Sequence, residues 1–229
     1  QVVGSSAPMA TYSQWTAEAA GWLGKYQLWD AWIYSGLPEE PWEIHVVNSS
    51  SSRACASLCR DCNLCDLVAF DAEWVPDLNG SNHPISVLQF AFPQTCKVYV
   101  VQLARVGKLP PAVQMMLVNP GVIKVGFGVD CKDAEKLATT GIPMSQDSIV
   151  DVQHSCGDLL GMARPGLRRA ARELLGYAMT KDLRCCCSDW SALELTSEQV
   201  RYAALDAWVT LRLFYLDGFH LWKSWGQLP

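Results

Sequence analysis

Short apolar runs recur along this chain, and most are followed by a stretch of helical period. "WEIHVV" (42–47), "LVAFDAEW" (67–74), "ISVLQFAF" (85–92), "KVYVVQL" (97–103) and "VIKVGFGV" (122–129) read as strands, and "SIVDVQHSCGDLLG" (148–161) reads as a strand entering a helix. Between and after them, 49–62, 110–119, 132–141, 166–176 and 196–219 read as helices, the last opened by a Thr196–Gln199 capping box. Residues 93–95 join the third and fourth strands as a turn. Strands that alternate with helices build parallel crossovers, and those need helices on the sheet faces. The expected class is therefore α/β, a mixed sheet flanked by helices.

The 229 residues, half of them hydrophobic, suit one such domain with a modest extension. No stretch of 18 apolar residues is present, which excludes a membrane-spanning helix of ordinary length. The net charge of −5 excludes a whole-chain basic field, so any nucleic-acid contact must rest on a local patch. Three adjacent cysteines, Cys185, Cys186 and Cys187, suit a reducing compartment better than a disulfide scaffold, and an intracellular protein is expected. The first residue is Gln1, which suggests a fragment or a processed form.

The first 42 residues differ from the rest. Trp15, Trp22 and Trp29 recur every seven residues, with Trp32 and Trp42 close by, so one helical face can carry them until Gly36, Pro38 and Pro41 break the pattern. The segment is expected to be a Trp-rich helical extension, packed on the main domain or docking a protein partner. The expected divisions are 1–42 for this extension, 43–219 for the α/β domain and 220–229 for a tail.

The chemistry concentrates at acids. Asp71 and Glu73 are two apart in a strand, so both point to one side, just past an apolar run. Paired like charges repel unless a cation sits between them, and all-oxygen ligands favour Mg²⁺ or Mn²⁺. Tyr202 and Asp206 lie at i and i+4 on one helical face among small apolar residues. Asp133 opens a helix directly after a buried strand, where α/β domains gather their sites, and Asp130 competes with it. A rival feature is the C-x3-C-x2-C-x2-C spacing of Cys55, Cys59, Cys62 and Cys65, which could ligate zinc or an iron–sulfur cluster; three of these fall on one helical face, as a buried stripe of thiols requires. His45, His83, His154 and His220 show no ligand spacing.

Taken together, "FDAEW" (70–74), "VGFGVDCKDAEKL" (125–137) and "LTSEQVRYAALDA" (195–207) resemble the three motifs of the DEDDy 3′-5′ exonucleases. The resemblance is to the branch of the Werner-syndrome exonuclease domain and the exonuclease 3′-5′ domain-containing proteins, and it covers about 43–217. It extends to "LRRAARELLG" and to Lys181, Ser188, Asp189 and Trp190, although "LRCCC" (183–187) lengthens the usual path from the lysine to Ser-Asp-Trp. It implies a ribonuclease H-like fold and two-metal hydrolysis of phosphodiesters at a nucleic-acid 3′ end, DNA or RNA, releasing nucleoside 5′-monophosphates. Two divalent cations, Mg²⁺ or Mn²⁺, would be held by Asp71, Glu73, Asp133 and Asp206. Asp71 would bridge both; Glu73 and Asp206 would hold the one that activates water; Asp133 would act on the second. Tyr202 stands where other members carry histidine. As a phenol it suits orienting the water better than deprotonating it.

Substrate contacts are expected from Trp74, Lys181, Arg168 and Arg172, with Leu88 and Phe90 as lesser candidates that suit the core better. Arg164, Arg169 and Arg184 complete a local basic stretch. The alternative to an enzyme is a silent nucleic-acid-binding or scaffold module that retains the fold. The presence of the full acid set argues against it.

Overall fold

A computed structural model describes residues 37–78, 80–129, 131–179 and 183–225, with the backbone alone at 131–134, 183–184 and 217–225. The expected Trp-rich helix, Asp130 and Lys181 lie outside the described residues. From Pro38 onward the described residues form one compact unit. Six strands make its sheet: β1 (Glu43–Val47), β2 (Leu67–Glu73), β3 (Val87–Phe92), β4 (Lys97–Gln102), β5 (Ile123–Gly126) and β6 (Ile149–Asp151). Their order is β1-β4-β3-β2-β5-β6. β3 runs antiparallel to both β2 and β4, while the β1–β4, β2–β5 and β5–β6 pairs are parallel. The hairpin of β3 and β4 needs only a tight turn, whereas each parallel pair needs a crossover.

The helices are α1 (Arg53–Leu64), α2 (Leu103–Val106), α3 (Pro111–Val118), α4 (Cys131–Thr139), α5 (Val152–Leu160), α6 (Leu167–Leu175), α7 (Leu183–Cys186) and α8 (Ser197–Trp225). Period-two alternation divides the sheet into two faces. Val68, Phe70, Leu88, Phe90 and Tyr99 join Cys55, Leu58 and Cys62 of α1, Val113 and Leu117 of α3, and Leu137 of α4 in one core. Leu88 and Phe90 are buried there, as core residues rather than a wedge for a base. Burial pushes the Cys62 thiol well up and the Cys65 thiol to about 12, so these behave as packed apolar groups.

Across the other face lies α8, in contact with β2, β3, β4 and β5. Its capping box forms as expected: the Thr196 N–H donates to Gln199 Oε1 at 2.9 Å, and the Gln199 N–H donates to Thr196 Oγ1 at 3.2 Å. Ala203, Ala204 and Ala207 of α8 and Ala69 and Ala91 of the sheet are all fully buried, so the helix and sheet meet through methyl groups. The helix continues to Trp225, beyond the expected residue 219. Segment 38–40 is strapped to it: Trp208 Nε1 donates to the Pro38 carbonyl at 3.1 Å, Arg212 to that of Glu39 at 3.2 Å, and Arg201 pairs with Glu40.

β5 is shorter than the run 122–129 suggests. The chain bends at Phe127–Gly128, where Gly128 takes φ +71°, a conformation that glycine adopts without strain. The Gly128 N–H donates to Asp151 Oδ1 at 2.8 Å, and the same oxygen caps α5 through the Gln153 N–H at 2.8 Å. This turn delivers the chain into α4. From α4, Lys136 Nζ reaches back to Asn82 Oδ1, the His83 carbonyl and Asp77 Oδ2, each at 2.7 Å. The loop after β2 is thereby tied to the helix that carries Asp133.

Candidate active site

Asp71 and Glu73 project from the end of β2 toward α8, the helix that carries Asp206. A carboxylate oxygen from each of the three lies within 4.8 Å of the others. Among the described residues, this is the group of three or more metal-ligating side chains that converges; Cys55, Cys59, Cys62 and Cys65 do not. The local reasons are simple. Strand alternation aims both β2 acids at the α8 face, and the buried alanines allow α8 to come close enough for Asp206 to join them.

The electrostatics are those of crowded like charge. Burial, then Asp71, then Asp206 push the Glu73 carboxyl up to about 10, with Cys187 adding a smaller push. Burial and Asp71 also raise Asp206 well above the carboxylate range, against the hydrogen bond from Tyr202 and the charge of Arg168. These directions describe a site that needs positive charge, supplied by protons or by a cation. Burial first, then Asp206 and Glu73, raise the Tyr202 phenol above its usual range, which keeps it a hydrogen-bond donor at neutral pH. All donors are oxygen, as a hard divalent cation requires.

The remaining expected residues fall in different places. Asp133 stands in the first turn of α4. Arg168 is half-buried on α6 and acts electrostatically on Asp206. Arg172 is exposed and pairs with its neighbour Glu173 at 2.6 Å. Trp74 packs against the core on the α1 side, with Lys136 Nζ 5.4 Å from its ring centroid. Together with Phe70, Asp71 and Leu137 it lines a small, partly open cavity of about 20 Å³, room for about one water.

Two further groups stand beside the acids; Trp190 was marked along the chain by the Ser-Asp-Trp stretch, whereas Gln89 had no signal there. Gln89 of β3 is directly opposite Asp71 in the register, hence on the same face, and it is fully buried with neither side-chain amide atom hydrogen-bonded. The indole of Trp190, also buried, has its ring centroid 6.1 Å from that of Tyr202 and its Nε1 unpartnered. The cross-strand register that sets Gln89 opposite Asp71 cannot be read from spacing along the chain.

Comparison with known proteins agrees with this geometry. The family model described as "3′-5′ exonuclease" matches residues 46–216. The bifunctional 3′-5′ exonuclease/ATP-dependent helicase WRN of Mus musculus is 27% identical over 188 residues, covering 80% of this chain and 13% of its own length. Exonuclease 3′-5′ domain-containing protein 2 of Homo sapiens is 34% identical over 162 residues, covering 65% of this chain and 24% of its own. The chain thus spans about a quarter or less of these relatives. Among solved structures, Trypanosoma brucei RNase D in complex with RNA U12 superimposes with a TM-score of 0.67 at 18% identity, over 80% of this chain and 65% of that one. Brucella melitensis NrnC with bound Mg²⁺ gives a TM-score of 0.58 at 22% identity, over 80% and 81%. The structural likenesses establish the ribonuclease H-like exonuclease fold, and with the match across 46–216 the chain belongs to the 3′-5′ exonuclease family.

Proposed function

We propose that this domain hydrolyses phosphodiester bonds at the 3′ end of a nucleic acid, releasing nucleoside 5′-monophosphates with the help of two divalent cations, Mg²⁺ or Mn²⁺. The observation that carries this is the convergence of Asp71, Glu73 and Asp206 within 4.8 Å, on two elements distant in sequence. The residues fit hard cations: the donor set is all oxygen, and the carboxyls are raised by one another as a site missing positive charge would be. Bound there, such ions neutralise the charge that develops on phosphate and activate water.

The chain's own residues have separable roles. Asp71, Glu73 and Asp206 would hold the cations, joined by Asp133 from α4. Tyr202, kept protonated by burial, donates to Asp206 and would orient the attacking water. Arg168 gives the site one fixed positive charge toward a phosphate, with Lys181 and Arg172 as further phosphate contacts. A neighbour of the same fold carries Mg²⁺ and another carries RNA.

The test is release of label from 3′-labelled single-stranded RNA and DNA, side by side, with Mg²⁺ or Mn²⁺. Hydrolysis is expected, with a loss of about 10³-fold or more in Asp206→Ala, the order that removal of a key transition-state charge contact produces. Binding without hydrolysis under every condition overturns the reading in favour of a silent module. The ratio between RNA and DNA assigns the substrate.

A further inference from the structure

Three consecutive cysteines close α7, and their environments differ. Cys185 is buried, Cys186 half-buried and Cys187 exposed. The Sγ atoms of Cys186 and Cys187 lie 3.6 Å apart. Two thiolates bound at about 2.3 Å to one tetrahedral cation stand about 3.8 Å from each other. The pair therefore already has the bite of a soft-metal chelate.

Its position is anchored. The Ser188 N–H donates to the Cys185 carbonyl at 3.0 Å, and Gln199 Nε2 donates to Ser188 Oγ at 2.8 Å. Gln199 lies one turn before Tyr202 on α8, and Trp190 packs against Tyr202. The thiol pair consequently stands at the tyrosine end of the acid cluster. Electrostatics agree: behind burial and the neighbouring acids, Cys187 contributes to the upward push on Glu73 and Cys186 to that on Tyr202.

We propose that Cys186 and Cys187 form a two-thiolate site for a thiophilic divalent cation of the Zn²⁺ or Cd²⁺ type, whose occupation weakens hard-cation binding at Asp71, Glu73 and Asp206. Binding exchanges two S–H protons for two sulfur–metal bonds and transfers no electrons. The second half of the proposal rests on the hydrolytic reading of the acid cluster, because it is the repulsion between neighbouring cations that couples the two sites. On α1, by contrast, Cys55 and Cys62 are packed in the core and Cys59 is half-buried against it.

The experiment uses the full chain, kept reduced, and the double variant Cys186→Ser/Cys187→Ser. Cd²⁺ is titrated and followed by thiolate-to-cadmium charge-transfer absorption in the ultraviolet. A saturable step in the parent, weakened at least tenfold in the double variant, is expected; equal steps in both overturn the site. Free Mn²⁺ is then followed by its paramagnetic resonance signal. Bound Cd²⁺ is expected to weaken Mn²⁺ binding at least threefold in the parent and not in the double variant, and unchanged Mn²⁺ binding in the parent overturns the coupling. If neither protein binds Mn²⁺ with or without Cd²⁺, the coupling falls together with the hydrolytic reading, while the absorption step by itself still decides the dithiol site.

Discussion

Two buried lysines and a cluster of three acids, one buried and two half-buried, are treated by this fold in opposite ways. Lys136, 4% exposed, meets three oxygen acceptors at 2.7 Å, one for each ammonium proton. Lys124, on β5, is fully buried and donates to the Asn119 carbonyl at 2.8 Å and to Ser148 Oγ. At Asp71, Glu73 and Asp206, like charge faces like charge. A charge that serves the fold is satisfied by the chain itself, whereas the acid cluster keeps an excess of negative charge that Tyr202 and Arg168 offset in part and that protons or an added cation relieve.

The contrast can be broken at Lys136. Lys136→Met strands the His83 carbonyl and the Asn82 oxygen and frees the loop after β2, and a loss of about 3 kcal/mol in urea unfolding is expected. An unfolding midpoint equal to the parent's would show that the three contacts carry no stability. The acid cluster should respond in the opposite sense. Mn²⁺ at a hundred times its dissociation constant is expected to stabilise the parent by about 2.7 kcal/mol. Asp71→Asn should lose that response while melting above the parent in chelator, since one repelling charge is gone. A variant that melts lower in chelator and still gains from Mn²⁺ would remove the distinction between the two kinds of burial.

Lys124 sharpens the comparison more finely. Burial lowers its ammonium from 10.5 to about 8, so between those values the unfolded chain binds the proton that the folded chain has given up. Stability then rises with pH across that window, by about 1 kcal/mol from pH 8 to 9. The contribution is read as the difference between the parent and Lys124→Met, in which this rise is absent. A parallel pH dependence in the two proteins would show that the bonds to Asn119 and Ser148 hold the charge without cost.

Much of this was legible along the chain because the relevant periods are short. Strand alternation placed Asp71 and Glu73 on one side, helical spacing paired Tyr202 with Asp206, and the capping box marked the start of α8. The limits of β5 were not legible: "VIKVGFGV" is apolar throughout, and it is Asp151, 23 residues past Gly128, that turns the chain at that glycine. Gln89 was likewise out of reach, since its meaning depends on lying opposite Asp71 across two strands. The lysines were silent for the same reason. Nothing in "DAEKL" says that its lysine will be buried against a loop some fifty residues earlier.

The methyl-lined contact between α8 and the sheet has a further consequence. The gap between a helix-borne carboxylate and two strand-borne ones is set by the thinnest side chains available, so Ala203, Ala204, Ala207, Ala69 and Ala91 act as a spacer gauge for the acids. A single extra carbon in that layer lifts the whole rod and detunes the cluster without touching any ligand. Residues that carry no chemistry of their own thus set the spacing on which the proposed chemistry depends.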